Sequence, residues 1–239
     1  MSWPRQTGLG ELLDGDELSE AERIRVLAAL RRANVMSCAH PPIIAATSRL
    51  LDRTHIESTG RPIRVADIGA GTGDLVRAIA SWARRRKLPV EVVGIEMDPV
   101  AAGEARRLST DSPEVVVEQV DFTEFRPCQP FDVITALHLL HHYDDRAAAD
   151  LLRRMAEMAR TGVVVSDLAR SRLTYLEAWV LVRLMSRSAP FHHDACVSVA
   201  RSFTAQELQE LARRAGLPNA LVKRVPGRRI LLTAAGMAG

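Results

Sequence analysis

Apolar positions follow two different periods along this chain, and the change falls near residue 61. Before it, apolar residues recur at helical spacing over 18–36, where a serine is placed to cap the helix start. A second helix is expected from Ile43 to about Thr54, after a break at the preceding prolines. Residues 1–60 are therefore predicted to be a helical N-terminal extension that covers a pocket.

From residue 61 onward, short apolar runs alternate with amphipathic segments. The apolar runs predict buried strands and the amphipathic segments predict helices. Strands are expected at 64–68, 90–95, 114–120, 131–136 and 162–166, and helices at 75–86, 99–109 and 146–159. Apolar strands separated by helices indicate an α/β fold, with a doubly wound and mostly parallel sheet that carries helices on both faces.

This alternation stops after the fifth strand. Residues 172–185 predict a long apolar helix, whereas residues 186–201 show no clear period and are expected to form an irregular polar loop. Binding residues concentrate in loops that a rigid scaffold holds in place. We therefore expect residues 61–239 to form one domain, in which an insert over about 172–203 faces the substrate.

Local signals place the last elements. Thr204 and Glu207 have the spacing of a capping box, which predicts a helix over 205–215. The segments 220–225 and 229–232, joined by a Pro-Gly-Arg turn, predict an antiparallel hairpin at the C-terminal end. With this hairpin the sheet has seven strands.

The most informative stretch lies between the first strand and its helix, where Gly69, Gly71 and Gly73 fall at alternate positions after Asp67. Glycine has no Cβ, so a ligand can approach the backbone closely. The free N–H groups at the start of the next helix can then bind a polar or anionic group. The dinucleotide fingerprint is G-x-G-x-x-G, and here the third glycine comes one residue early, which disfavours NAD. The loop predicts a nucleotide-like cofactor of another kind.

Two acids follow the second strand, and they have different expected roles. Glu96 lies at the tip of the strand, where an acid can accept hydrogen bonds from ribose hydroxyls, as it does roughly 20 residues after the glycines in dinucleotide folds. Asp98 precedes Pro99 and has the position of a helix N-cap. We therefore expect Glu96 to bind the cofactor and Asp98 to cap the helix.

An acid followed by G-x-G-x-G resembles motif I of the seven-stranded, class I S-adenosylmethionine-dependent methyltransferases. That family also has an antiparallel hairpin after its fifth strand. The resemblance implies S-adenosylmethionine as the cofactor and S-adenosylhomocysteine as its product. In the family, the acid that matches Glu96 accepts hydrogen bonds from both ribose hydroxyls. The acid that matches Asp121 accepts one from the adenine amino group. The residue that matches Phe122 packs on the adenine ring. The cofactor residues expected are Asp67, Gly69, Ala70, Gly71, Gly73, Glu96, Met97, Asp121, Phe122 and Leu137.

Three histidines in five positions follow the fourth strand. This segment resembles the F-D…L-H-H region of many small-molecule methyltransferases, and its leucines, from Leu137 to Leu140, are expected to contact the cofactor. Only His138 and His142 have an i, i+4 spacing, and there is no H-E-x-x-H pattern, so no metal is expected. For His141, a catalytic and a merely structural role both remain open.

Four further segments resemble a bacterial methyltransferase subgroup associated with polyketide or phenolic-lipid tailoring. They are Glu11-Leu12-Leu13-Asp14, the run ending in Asn34, Ser166-Asp167-Leu168-Ala169-Arg170 and residues 191–204, which contain His192-His193-Asp194. The chain departs from the shared pattern at two positions, with Ser166 in place of Asn and His192 in place of Arg. Histidine titrates in the range useful to a general base, so His141 and His193 are the base candidates, with Asp167 or Asp194 to orient them.

Composition narrows the remaining possibilities. The chain has 239 residues and a net charge of +3. Its arginines lie largely on helix faces and its aromatic residues are few, so no nucleic-acid partner is expected. The apolar runs are too short for a membrane span. Cys38, Cys128 and Cys196 lie far apart and are odd in number, which excludes a disulfide framework and suggests a reducing cytoplasm.

Together these features predict an enzyme that transfers a methyl group from S-adenosylmethionine to a small-molecule acceptor. The acceptor expected is a hydroxyl of a phenolic or polyketide-type natural product. Methylation of carbon or nitrogen is the alternative, because the same cofactor site serves all three. A regulatory module that binds the cofactor without turnover is the non-enzymatic alternative. The sequence leaves the oligomeric state open between a monomer and a homodimer.

Overall fold

A computed structural model describes residues 3–15, 17–52 and 61–238. The helices are α1 (Glu20–Met36), α2 (His40–Asp52), α3 (Asp74–Arg85), α4 (Pro99–Leu108), α5 (Asp145–Met158), α6 (Arg172–Met185), α7 (Ala189–Arg201) and α8 (Ala205–Arg214). The strands are β1 (Ile63–Ile68), β2 (Val90–Glu96), β3 (Val115–Gln119), β4 (Phe131–Leu137), β5 (Ala159–Leu168), β6 (Leu221–Val225) and β7 (Arg229–Ala235). Within the described residues, short 3₁₀ turns cover Leu12–Asp14 and Leu140–His142.

The seven strands form one sheet in the order β3-β2-β1-β4-β5-β7-β6. Strands β1 to β5 run parallel, and β7 is antiparallel to both β5 and β6. The predicted fold, including the terminal hairpin, is confirmed. Because the strand order reverses between β1 and β4, the carboxyl ends of these strands flank a crevice where open α/β sheets bind their ligands.

Two apolar layers cover the sheet. One face packs against α5 and α8, through residues such as Leu152 and Leu208. The other packs against α2 and α3, through residues such as Ile43 and Ile79. Helix α2 therefore contributes to the main core, although it belongs to the part of the chain predicted to be an extension. The domain boundary at residue 60 stays a prediction.

The break expected at the prolines before Ile43 is wrong, because α2 begins at His40 and contains Pro41 and Pro42 in its first turn. Proline is tolerated there because the first N–H groups of a helix have no partner within the helix. The predicted end of this helix at Thr54 lies outside the described residues.

The irregular loop expected at 186–201 is also wrong, because most of it forms α7. Ser188 caps this helix by accepting from the Phe191 N–H. Its buried side carries the polar residues Asp194 and Arg201 together with apolar ones. That mixture hides the helical period, so the sequence pattern could not reveal the helix.

Residues 3–15, which we call the N-terminal strap, lie against the loops at the carboxyl end of the sheet. The Arg5 guanidinium donates to the Tyr143 carbonyl at 2.6 Å, and the Gln6 N–H donates to the Ala200 carbonyl at 3.1 Å. After the strap, α1 packs on α6 and α7 through Val26 and Phe191. Within the described part of the chain, no helix combines the length and apolar character needed to cross a membrane.

Candidate functional site

The glycine turn after β1 has the backbone conformation that only glycine adopts freely. Gly69, Gly71 and Gly73 have φ values of +67°, +53° and +72°. A Cβ on Gly69 would lie 2.7 Å from Leu139 Cδ1, so the loop after β4 packs directly on this turn. A Cβ on Gly71 would meet no described atom within 4 Å. Leu139 thus covers the turn at Gly69, whereas no described atom fills the space beside Gly71.

Glu96 holds this turn to the tip of β2. Its Oε2 accepts the Gly71 N–H at 2.8 Å and its Oε1 accepts the Asp98 N–H at 2.9 Å. Burial raises the pKa of the Glu96 carboxyl. A carboxylate has about four lone-pair sites, so both oxygens can still accept from a ligand. The next residue, Met97, is 63% exposed.

Asp98 has the role expected from the sequence, which was to cap a helix. Its side chain accepts the Ala101 N–H at 2.7 Å at the start of α4. It also forms an ion pair with Arg23 of α1. Asp98 therefore joins α1 to α4, whereas the role of Glu96 in binding the ribose stays a prediction.

Asp67 is buried beneath the glycine turn at the end of β1, with 2% of its surface exposed. Thr135 of β4 donates its hydroxyl to Asp67 Oδ1 at 2.8 Å. Burial, supported by the nearby charges of Asp74 and Glu96, raises the pKa of Asp67 to about 8. The Asp67 carboxyl is therefore largely protonated at neutral pH in the ligand-free protein.

Replacing Asp67 by asparagine should make the stability less dependent on pH. The folded protein keeps the Asp67 proton up to about pH 8, whereas an unfolded aspartate loses it near pH 4. The wild-type free energy of unfolding should therefore fall as the pH rises from 4 to 8 because of this group. Denaturant unfolding of the wild type and of the Asp67→Asn variant at pH 5, 7 and 8.5 measures the difference. A stability advantage of the variant that did not grow with pH would contradict the raised pKa.

The remaining predicted cofactor residues occupy different environments. Asp121 follows β3, and its Oδ1 accepts both the N–H and the hydroxyl of Thr123, at 2.7 and 2.8 Å. The Phe122 ring is 5% exposed and lies in the core, with the Arg154 guanidinium 5.3 Å from its centroid. Leu137 ends β4 and is partly buried. Asp121 thus closes a turn, and its contact with adenine, like that of Phe122, stays a prediction.

His141 lies between two carboxylates at the carboxyl end of the sheet. Its Nδ1 is 2.7 Å from Asp167 Oδ1, and its Nε2 is 3.3 Å from Glu11 Oε1 of the strap. Burial alone would lower the pKa of His141, but the two carboxylates outweigh it and raise the pKa to about 10. Burial is likewise outweighed at both acids, where the imidazolium lowers the pKa to about 2. Without other ligands, His141 is a buried imidazolium at neutral pH.

The second predicted pair, His193 and Asp194, lies on α7. The His193 side chain is 47% exposed and its Nδ1 is 3.0 Å from Asp194 Oδ1. Asp194 is buried and also accepts the N–H groups of Leu12 and Leu13, at 2.7 and 3.0 Å. Burial raises the pKa of Asp194. The same carboxylate therefore orients His193 and anchors the strap.

His193 also lines a cavity of about 450 Å³ between α6, α7 and the strap. The other polar and aromatic groups in its wall include Tyr175, Trp179, Arg183 and His192. None of the residues of the glycine turn lines this cavity. The lining residues of this cavity thus come from the strap, α6 and α7.

Several polar contacts at the carboxyl end were not foreseen from the sequence. Asp14 of the strap binds His142, with Oδ2 and Nδ1 2.8 Å apart. His138 has a φ of +54°, and its Nε2 accepts from the buried Arg229 at 3.0 Å. His40 binds Asp74 at 2.8 Å at the start of α3. Each pair joins segments far apart in sequence, so no local motif marks it. Only the resemblance to the methyltransferase subgroup singles out the segment that contains Glu11 and Asp14.

An open, mostly parallel sheet with a glycine turn after β1 and an acid at the tip of β2 defines the class of Rossmann-like enzymes that bind a nucleoside cofactor. Residues 39–222 match a family described as a methyltransferase domain. This match covers most of the chain, which therefore belongs to that family of enzymes. A comparison with curated proteins finds no match.

Solved structures share the fold at low sequence identity. Human N-acetylserotonin methyltransferase, in complex with S-adenosylmethionine, matches with a TM-score of 0.67 and 16% identity, over 97% of this chain and 62% of that chain. The plantazolicin methyltransferase BpumL, with a triazolic desmethylPZN analog and S-adenosylhomocysteine, has a TM-score of 0.60 and 13% identity, over 91% of this chain and 97% of that one. PigF with S-adenosylhomocysteine has a TM-score of 0.54 and 20% identity, over 72% of this chain and 50% of that one. The chain thus spans half the length of PigF and under two thirds of the human enzyme.

The cofactor expected from the sequence is the one that these structures contain, as S-adenosylmethionine or its product. The resemblance to class I methyltransferases is confirmed by the family match and by the sheet order. The residues expected to bind the cofactor and to catalyse the reaction stay predictions.

Proposed function

We propose that this methyltransferase transfers the methyl group of S-adenosylmethionine to a hydroxyl of a small phenolic or polyketide-type acceptor. The observation that carries the hydroxyl assignment is the pairing of His193 with Asp194, beside His141 with Asp167. A hydroxyl must lose a proton when it is methylated, and a histidine oriented by a carboxylate is suited to accept that proton.

The glycine turn and Glu96 fit the cofactor. The open side of Gly71 lets a ligand reach the backbone, and the Glu96 carboxylate has unused lone pairs for ribose hydroxyls. The exposed Met97, the residue after Glu96, offers an apolar surface. When bound, the cofactor supplies an electrophilic methyl group on a sulfonium. The work left to the protein is to align the acceptor oxygen with that group, which can contribute on the order of 7–11 kcal/mol.

Of the two base candidates, His193 fits the task better. Its Nδ1 is engaged by Asp194, which leaves Nε2 to receive a proton from the acceptor. Both ring nitrogens of His141 are engaged by carboxylates, and only 2% of that residue is exposed. We therefore assign His193 as the general base, oriented by Asp194. His141 and Asp167 then act by holding the strap and the turn after β4 in position.

The acceptor atom is tested with a matched panel of nucleophiles. Purified protein is incubated with S-adenosylmethionine and a phenol, an aniline, a thiophenol and an active-methylene compound built on the same ring. S-adenosylhomocysteine formation and product mass measure transfer. The proposal expects the phenol to be methylated fastest. Transfer confined to nitrogen or carbon would redirect the assignment, and cofactor binding without any transfer would favour the regulatory alternative.

His193→Ala should lower kcat at least tenfold while cofactor affinity stays within threefold. General-base catalysis contributes about 10²–10⁴ in rate. The loss should be largest at a pH where the phenol is un-ionised, because a phenolate needs no base. His192→Ala is the matched control, since that ring donates to the Ser186 carbonyl at 2.7 Å. Full turnover by the His193→Ala variant at every pH would mean that catalysis proceeds by alignment alone.

A further inference from the structure

We propose that Glu11, His141 and His142 form a binding site for one divalent transition-metal ion of the zinc class. One carboxylate oxygen and one nitrogen from each ring all lie within 4.8 Å of one another. Glu11 comes from the strap, and the two histidines come from the 3₁₀ turn after β4. The proposal concerns metal binding and is independent of the proposed acceptor.

The spacing of the first two groups also suits two ligands of one metal ion, although in the metal-free protein the contact is a long hydrogen bond. Glu11 Oε1 and His141 Nε2 are 3.3 Å apart. A charge-assisted hydrogen bond between such groups is about 2.7–2.9 Å long. Two ligands at roughly 2.1 Å from a tetrahedral zinc ion lie roughly 3.4 Å apart. The distance between Glu11 Oε1 and His141 Nε2 is therefore close to the distance between two ligand atoms of a tetrahedral zinc ion.

Both histidines also have the outer partners that metal-binding histidines use. His141 Nδ1 is 2.7 Å from Asp167 Oδ1, and His142 Nδ1 is 2.8 Å from Asp14 Oδ2. A histidine that binds a metal generally donates its other ring N–H to a carboxylate or carbonyl, which fixes the ring and the tautomer. At His141 the ligand nitrogen would be Nε2, whose proton, shared with Glu11 Oε1 in the metal-free protein, is released when a metal binds. His142 would bind through its other ring nitrogen, because Asp14 holds its Nδ1.

The carboxylate ligand is oriented in the same way. The Ser198 hydroxyl of α7 donates to Glu11 Oε1 at 2.7 Å and also contacts the Asp194 carbonyl at 2.8 Å. The Glu11 side chain is 7% exposed, so its position is set by these contacts. The site is thus supported by the strap, by α7 and by the ends of β4 and β5.

The chemistry of the ligands indicates the class of metal. Two imidazoles and one carboxylate are a common set for zinc and for non-haem iron, whereas calcium and magnesium prefer oxygen ligands alone. Three protein ligands leave a fourth position open. The His142 side chain is 27% exposed, so the site can be reached from solvent. The three negative charges of Glu11, Asp14 and Asp167 would attract a divalent cation.

The test is metal binding by the tag-free 239-residue chain after a chelator has removed any bound metal. Titration with Co²⁺ should give one bound ion per chain and a visible absorption band typical of low coordination number, which Zn²⁺ abolishes and Mg²⁺ does not. Glu11→Gln and His142→Ala should each remove the band. Asp14→Asn should weaken binding by about 10–100-fold, as loss of an outer partner does. His192→Ala, on α7 and outside this group of ligands, should bind one ion as the wild type does.

Two results would overturn the proposal. Wild-type protein that binds no Co²⁺ would show that Glu11 and His141 form an ion pair only. Binding that survives both Glu11→Gln and His142→Ala would place the metal elsewhere. His142 and Asp14 are partly exposed, so their variants are expected to fold, and a circular dichroism melt of each checks this before titration. The result thus stands even if the Glu11 variant fails to fold.

Discussion

Replacing Glu96 by alanine should weaken binding of S-adenosylhomocysteine at least tenfold. The carboxylate is the group proposed to accept from the ribose hydroxyls, and each charge-assisted hydrogen bond contributes about 1.5–3 kcal/mol. It also accepts the Gly71 and Asp98 N–H groups, so its loss releases the glycine turn from the tip of β2. Isothermal titration calorimetry measures the change in affinity.

Asp98 supplies the matched control, because it is an acid two residues away. Asp98→Ala removes a helix cap, which costs about 0.5–2 kcal/mol of stability, together with the ion pair to Arg23. Asp98→Asn keeps a capping oxygen and removes only the charge. Both variants should lower the melting temperature while leaving affinity nearly unchanged. An affinity loss at Asp98 equal to or greater than that at Glu96 would show that the wrong acid had been assigned to the ribose.

The candidate cofactor residues could be selected from the sequence because the signals that mark them are local. The glycines follow β1, Glu96 ends β2 and Asp121 follows β3, so each candidate lies within a few residues of a strand end. Parallel strands then bring those ends to one edge without further information. Helix caps are equally local, and the predicted roles of Asp98 and Thr204 as N-caps are both confirmed.

The other side of the site could not be predicted, because its contacts span the chain. Glu11 meets His141 and Asp14 meets His142, each pair joining the strap to the turn after β4. No periodicity or spacing rule connects such positions. Buried polar groups also obscured α7, whose inner face carries Asp194 and Arg201 where an ordinary amphipathic helix carries apolar residues. These buried polar residues hold the strap and the turn after β4 in place, and no sequence pattern connects those two segments.

Replacing His141 by alanine should destabilise the metal-free protein by about 3–5 kcal/mol, as expected when one partner of a buried ion pair is removed. The reason is that Glu11 and Asp167 would be left buried without their shared cation. Urea unfolding in the presence of a chelator measures the free energy of unfolding.

The same ion pairs also predict how the stability of the wild type depends on pH. The raised pKa of His141 means that its contribution is fully present below about pH 6.5 and is lost as the pH rises through about 10. The lowered pKa values of Asp167 and Glu11 mean that the contribution of these two acids to stability is lost as the pH falls from about 4 to about 2.

His193→Ala is the control for this measurement, because it removes another histidine paired with a carboxylate. The His193 side chain is 47% exposed and its pair is screened by water, so its loss should cost no more than about 1 kcal/mol. The two variants should therefore separate: His141→Ala should lose stability, and His193→Ala should lose turnover. Equal destabilisation by both would contradict the role of burial at His141. A stable His141→Ala variant with low kcat would make His141 a candidate base again. A displaced strap could not then explain the loss of turnover.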